Sequence, residues 1–597
     1  MPERKPSMSS LSPIQRFFHL LEPDRKDITY IYLYAIFGGL LTLTLPLGVQ
    51  AVIGLVQGGE VSSSLVILIG IVTLGTLFTG LLKIMQLTVA ETLQRRIFAR
   101  SAFEFALRIP RLRMDALEKE YAPELVNRFF DTMTVQKGLP KILMDFSTGV
   151  VQIVFGLLLI SFYHPFFVFF GIIVLLLLVL LLRWTGPKGL STSLLESKYK
   201  YKVAHWLQEV ARAMVTFKLA SGARLSISKT DSLVNSYLDA RGQHFKILVS
   251  QYGLIVAFKT MVTGVLLALG GVLVIDNQIT IGQFVAAEIV VLLILGSVEK
   301  VILTLADVYD LLTGLEKIGY FTDLPLDPVE GSSFEKVDTG KGMAIMVKDL
   351  SFRFLDSEKQ VLDKLSFSVE PGEKVCIAGY NGSGKSTLIQ IVSGLRINFQ
   401  GNVSYNGLPM QNFNLSSLRS FIGDHGAQED IFQGTLWENI CLGHEEVDFQ
   451  QIIWATNQVG LEAFVQGLPK GYNTLLVPGG KNLPQSVQTK ILLARSIVSQ
   501  PRLLALEEFL HQLQPLEQQK MADMLTARHQ PWTLLAVSND PLLAARCERI
   551  ILMQDGQIIA QGSYEMLRDN PHFEHIFQVN IPNGQAIQPD WPTTAKK

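Results

Sequence analysis

The residues with the most specific chemistry in this sequence lie at 379–387, where Gly379, Gly384, Lys385 and Ser386 satisfy the spacing GxxxxGK[ST] within GYNGSGKST. Glycines at these places let successive backbone N–H groups curl around phosphate oxygens, and a helix starting there adds the partial positive charge of its N-terminus. Lys385 has the length to reach the β- and γ-phosphates of a nucleotide, and the hydroxyl of Ser386 suits Mg²⁺. Asn381, Gly382, Ser383 and Thr387 complete the expected cradle. The motif carries weight only between a strand and a helix. VCIA before it and TLIQIVSG after it supply that context.

The elements around this loop alternate between short apolar strands and helices, which predicts an α/β P-loop domain over residues 343–580. A Pro-, Gly- and Ser-rich stretch, DLPLDPVEGSS, precedes it and reads as a linker over 321–342. The 597 residues are too many for one domain. With 48 % hydrophobic residues and a mean hydropathy of +0.29, the excess apolar surface has to be placed in something other than water. Residues 28–320 supply the place. Tyr30–Val56, Leu65–Leu82, Phe146–Tyr163, Phe166–Leu182, Met261–Ile275 and Ile281–Leu295 are apolar runs near the ~20 residues that a membrane helix needs. A run such as VFFGIIVLLLLVLLL is apolar on every face, unlike a helix of a soluble core. The expectation is a six-helix transmembrane bundle.

The short turns near 57–64, 164–165 and 276–280 hold no Lys or Arg, whereas Arg96, Arg100, Arg108, Arg111, Arg113 and Arg128 crowd the loop 90–140 and the loop 185–250 is similarly basic. Cation-rich loops stay in the cytoplasm. This predicts a multi-pass integral membrane protein, in a bacterial inner membrane, with both termini cytoplasmic: residues 1–27 as an elbow and 581–597 as a polar tail. Lys83 and Lys259 fall near the inner interface and are expected to snorkel. Glu288 lies about two turns below the outer end of the last span; it faces either a substrate pathway or a hydrogen-bond partner on another helix. The formal net charge of -1 gives no signature of nucleic-acid binding. Cys376, Cys441 and Cys547 form no CxxC pair and are expected to be buried packing residues. The N-terminal sequence lacks the short apolar core of a cleaved signal.

LSFRF, then VLDKLSFSVEPGEKVCIAGYNGSGKSTL, then GTLWENI resemble the ATP-binding domain of ABC exporters, and the six-span half before them is similar to the type I membrane domain of that family. The resemblance covers nearly the whole chain. It implies a dimer of such halves with ATP sandwiched between facing nucleotide domains, and it places Phe354 where the family stacks an aromatic ring on adenine. It further implies that Glu507 stands at the Mg²⁺-positioning carboxylate, Glu508 at the glutamate that activates the attacking water, and Asn539 at the switch histidine.

Several of these positions depart from the family pattern. The signature LSGGQ, which closes the partner's ATP site, is here Leu483, Pro484, Gln485, Ser486 and Val487. Proline supplies no N–H, and side chains replace both glycines, so the charge-assisted bonds that hold a γ-phosphate are expected to be missing on this face. Asn539 hydrogen-bonds but does not titrate. In FIGDHGAQEDIF, Ala427 takes the metal-contacting glutamine's place and Gln428 follows one residue late.

The expected function is a subunit of an ATP-dependent exporter, with a second half-transporter as partner. A heterodimer with a catalytically intact half is favoured over a homodimer, which would pair two altered signatures. The alternative is a pseudo-ATPase half that binds ATP and regulates or scaffolds the complex without hydrolysing it. Membrane lipid surrounds the chain in either case. Cargo is expected to be a peptide or other amphipathic molecule, by fold-level analogy with bacterial peptide exporters. Without a protease-like domain ahead of the first span, the chain is not expected to cleave leader peptides itself.

Overall fold

The computed structural model describes residues 12–57, 63–118, 122–426, 430–444 and 446–577. The chain divides into two compact units, Met1–Arg111 with Glu120–Leu324 and Leu112–Lys119 with Pro325–Lys597.

The first unit is helical: α1 (Pro13–Leu21), α2 (Arg25–Thr42), α3 (Thr44–Gln57), α4 (Ser63–Arg108), α5 (Ala122–Asn127), α6 (Asp131–Ser161), α7 (Pro165–Arg212), α8 (Met214–Leu219), α9 (Ala223–Ile275) and α10 (Ile281–Thr322). Each of the six apolar runs is helical. Among the described residues five helical stretches are long and apolar enough to cross a membrane, and α7 carries the VFFGIIVLLLLVLLL run in one continuous helix. The first run is broken at Leu43, between α2 and α3. Pro46 has no N–H to continue the ladder there. Large apolar side chains point outward along α4: Ile67 is 63 % and Phe78 53 % exposed. An exposed apolar surface of that extent belongs against lipid.

Small residues set the closeness of α6 and α10. On α6, a Cβ added at Gly149 would lie 2.8 Å from Val301, and one at Gly156 2.8 Å from Ile294, so α10 packs against α6 at a distance that larger side chains would prevent. At the near end of α10, Asp323 pairs with Arg16 of α1, whose first turn is fixed by a capping box between Ser12 and Gln15. Lys259 does not stand alone as a snorkelling residue: its Nζ lies 3.3 Å from Glu299 on α10. Glu288 makes no hydrogen bond or ion pair among the described residues.

The second unit is built on a six-stranded sheet. Its order is Gln557–Gly562, Arg549–Gln554, Lys374–Gly379, Thr533–Val537, Leu503–Glu507, Ile422–His425, parallel except for the first pair. Strand residues alternate between two cores. Val375, Ile377, Leu535 and Val537 face the core shared with the four-stranded sheet, and Cys376, Ala378, Leu534 and Ala536 face the helical side. The three cysteines are free and buried. Residues 325–342, expected to be a linker, are packed instead: Phe334 is fully buried among Phe413 and Phe421, and Asp327 and Asp338 pair with Arg419 and Arg502. Proline and glycine here shape turns across a surface.

Lys374, at the start of the P-loop strand, is 1 % exposed, with its ammonium donating to the Trp532 carbonyl. Burial pushes it down from 10.5 to about 8, against the pull of Glu548. Between about pH 8 and 10.5 the unfolded chain therefore binds more protons here than the folded one, so stability rises with pH across that window, by up to ~3 kcal/mol. The expected result is that the apparent unfolding temperature of the purified full chain climbs over this range relative to a Lys374→Met variant, whose profile stays flatter.

Candidate nucleotide-binding site

The carboxyl ends of the parallel strands meet along one edge of the sheet. Register brings them together: Val537 lies beside Glu507 and Ile377, so Gly379, Glu508 and Asn539 all emerge at that edge, where open α/β sheets bind ligands. The loop leaving Gly379 turns through Gly382 (φ +78) and Gly384 (φ +94) into the helix Lys385–Val392. Gly384 needs its hydrogen for two reasons. Its φ is left-handed, and a Cβ would meet Leu362 Cδ2 at 2.6 Å and the Val361 carbonyl at 2.8 Å.

The hydroxyl of Ser383 is buried and without a partner among the described residues, and the first N–H groups of the helix Lys385–Val392 have no intrahelical acceptor. Both fit a phosphate. Lys385 is 7 % exposed; its Nζ donates to the carbonyls of Gly379 (2.8 Å) and Tyr380 (2.9 Å). Burial holds its pKa below the ordinary lysine value while Glu508 and Glu507 pull it back up. Ser386 Oγ donates to Glu507 Oε1. A hydroxyl and a carboxylate meeting in this way are the hard oxygen donors that Mg²⁺ takes. Asn381 lies in the exposed part of the loop and Thr387 is buried in the helix that follows. Gln428 lies outside the described residues.

Glu508 is exposed, with φ +41. A non-glycine residue held there stores on the order of 1–3 kcal/mol, and its N–H is anchored to the Val537 carbonyl. The backbone thus turns the carboxylate out of the sheet. Asn539 does something that its motif position did not reveal. Its Oδ1 accepts from the Gly379 N–H (3.0 Å) and its Nδ2 donates to the Gly379 carbonyl (3.1 Å), so the amide clasps both backbone polar groups of one residue at the root of the phosphate loop. Asn539→Ala leaves that N–H without its acceptor, at ~1–3 kcal/mol. The ATP-free unfolding temperature is expected to fall by roughly 2–4 °C for each kcal/mol lost. A residue that served the γ-phosphate alone would leave the ATP-free value unmoved.

Phe354 lies two residues beyond the strand Ile345–Phe352 and is half-buried. The Arg396 guanidinium sits 4.8 Å over its ring and Phe352 meets it edge-on. Arg396 is in turn paired with Glu118, whose other carboxylate oxygen accepts from the Leu355 N–H at 3.2 Å. No motif announces Glu118 or Arg396; only the fold brings residues 278 positions apart into one contact. Val361 N–H donates to the Phe352 carbonyl, which ties this strand end to the loop that Val361 touches at Gly384.

The signature residues open a helix, Gln485–Ile497, whose N-cap is Pro484 with no side-chain cap. Gln488 Nε2 donates to the carbonyls of Gly480 and Leu483 and closes the preceding turn. Gln512, in the loop after Glu508, accepts from Thr489 and from Gln485 (3.3 Å) on this helix.

Residues 28–298 match the family model for the ABC transporter transmembrane region and residues 362–511 the family model described as ABC transporter. The chain belongs to the ABC transporters. It carries a membrane domain followed by one nucleotide domain, in the fold of an ABC exporter half. Its fold is that of a bacterial Atm1-family ABC exporter solved with ATP bound, with a TM-score of 0.82 at 17 % identity over 93 % of this chain and 99 % of that one. An uncharacterised ABC transporter ATP-binding protein, YfiB of Bacillus subtilis, is 29 % identical over 39 % of this chain and 41 % of its own length. An ATP-dependent lipid A-core flippase of Saccharophagus degradans is 29 % identical over 41 % of this chain and 42 % of its own. These first relatives are thus matched over about two fifths of their length. The transport/processing ATP-binding protein ComA of Streptococcus pneumoniae is 22 % identical over 96 % of this half-transporter and 80 % of that protein.

Proposed function

We propose that this half-transporter works in a heterodimer with a second half that carries an intact signature, and that the pair exports an amphipathic cargo across a bacterial inner membrane at the expense of ATP. One observation carries the reading: the phosphate loop, Ser386–Glu507 pair and outward-turned Glu508 lie together on one face, while the helix meant for a partner's nucleotide has Pro484 as its N-cap. A proline N-cap withholds an N–H, and the side chains of Gln485 and Ser486 keep a phosphate from the backbone. Two copies would leave both sites half-made. A partner with its own LSGGQ completes the site on this chain.

In that site Lys385 and the loop amides hold the phosphates, Phe354 supports the base, and Glu508 orients a water and takes its proton. Ser386 and Glu507 would hold Mg²⁺, which would supply charge neutralisation of the transferred group. Closure of the nucleotide domains and their release bias the membrane helices between inward- and outward-open arrangements. Both termini are cytoplasmic in this arrangement. Lipid A-core or peptide cargo follows the names of relatives and is carried over here only as a class, an amphipathic molecule. Affinity purification from native membranes is expected to bring down a second, different half-transporter, and the purified pair to hydrolyse ATP. Recovery of this chain alone, or only as a homodimer, would overturn the heterodimer.

The clasp of Asn539 on Gly379 favours a second reading, in which ATP is a ligand that this chain binds without turnover. An amide whose donor and acceptor are both engaged with the backbone is poorly placed to serve a reacting phosphate.

A further inference from the structure

Away from the nucleotide site, the first unit holds a cavity of about 620 Å³ lined from α5, α6, α7, α9 and α10 or their flanks. Five cations face it: Arg128, Lys198, Lys202, Lys229 and Lys317. Among the described residues none of the five has a carboxylate within ion-pair distance. Two acids, Glu124 and Glu209, line it as well, and these and Asp131 beside it already have partners. Glu124 lies 2.8 Å from His205, Glu209 pairs with Arg212 at 2.7 Å, and Asp131 accepts from the Tyr201 hydroxyl. The cations settle on rings instead, Lys229 at 4.1 Å over Trp206 and Lys317 at 5.4 Å over Tyr201. Burial, and then Arg128, hold Lys317 below its ordinary pKa, and Asp131 and Glu316 only partly offset this. The like charges on converging helices repel one another.

We infer that this cavity binds a small, soluble, multiply phosphorylated molecule that ties the ends of these helices together. Charge density selects the class: within about 600 Å³, several cations are matched by phosphates carrying ~2 charges each, whereas single carboxylates bring one. Depth selects the source. Lys198 lies roughly 50 Å along α7 from Pro165 and Lys317 roughly 54 Å along α10 from Ile281, at ~1.5 Å per residue, while a bilayer with its headgroups spans ~40–45 Å. The cavity is therefore beyond the headgroups, on the side from which the chain enters its nucleotide unit. By the proposed orientation, on which this inference rests, that side is cytoplasmic. A ligand that bridges α7, α9 and α10 favours the arrangement in which their ends converge, and so shifts the transport equilibrium by its differential affinity.

The probe is inorganic tripolyphosphate, titrated by calorimetry into the detergent-purified complex carrying Lys385→Ala, which silences the phosphate loop. Saturable binding is expected, weakened at least tenfold by the Lys202→Gln/Lys229→Gln pair and separately by Lys317→Met, with unfolding temperatures of the ligand-free variants unchanged. No saturable binding, or equal affinity in all variants, would overturn the site. So would binding seen only to phosphatidylglycerol vesicles, which would assign the cations to lipid, or loss of the partner half in the lysine variants, which would assign them to a subunit contact. Because the readout is binding in a Lys385→Ala background, it does not depend on whether ATP is hydrolysed.

Discussion

Glu508→Gln is expected to lower the ATP turnover of this chain's complex with its native partner by about 10²- to 10⁴-fold, the usual worth of a positioned general base. Glutamine keeps the size of the side chain and tolerates the same backbone, so the φ of +41 and the N–H bond to Val537 are retained. What is lost is a group that accepts a proton. The fall belongs in kcat, with KM little changed, because the phosphate cradle is made by other residues. Steady-state ATPase assays on the purified pair decide it. An unchanged rate would place turnover at the other site or nowhere, and the ATP-as-ligand reading would then stand.

Lys385→Ala is expected to weaken ATP binding by one to two orders of magnitude. Each charge-assisted bond to phosphate is worth ~1.5–3 kcal/mol, or roughly a factor of 10 to 150. The side chain is almost wholly buried and is also the donor to the carbonyls of Gly379 and Tyr380, so its removal loosens the turn as well as removing the charge. Equilibrium titration with a fluorescent ATP analogue measures the effect. Equal affinity in the two proteins would remove the loop from the site. Comparison with Gly384→Ala separates the two contributions, since that change adds strain and a clash at 2.6 Å while leaving the ammonium in place.

Much of this architecture is legible in the sequence because single physical rules govern it. Apolar runs near twenty residues have few fates, and the phosphate loop needs its glycines wherever it occurs. Legibility fails where residue type and role separate. DLPLDPVEGSS has the composition of a free connector, yet Phe334 directly after it is fully buried, and Asp327 and Asp338 each find an arginine. Asn539 reads as a weakened switch because its position suggests that role; its clasp on Gly379 depends on a register between strands that no local pattern encodes. Lys259 reads as an interfacial cation, and only the packing of α9 against α10 supplies Glu299. The basic cavity is likewise invisible, since its cations come from four separated stretches.

The pairing of Glu118 with Arg396 bears on how the nucleotide domain is to be handled in isolation. Both side chains are nearly buried, at 12 % and 11 % exposure, and the arginine lies over the ring of Phe354. A fragment starting at residue 343 carries the arginine without its acid, and an ion so stripped of its counter-charge costs about 3–5 kcal/mol. Such a fragment also loses Phe334 from its core and two aspartates from its surface pairs. Affinities measured on it would report a perturbed setting for Phe354, and an excision that keeps 112–118 joined to 325–577 preserves the native one.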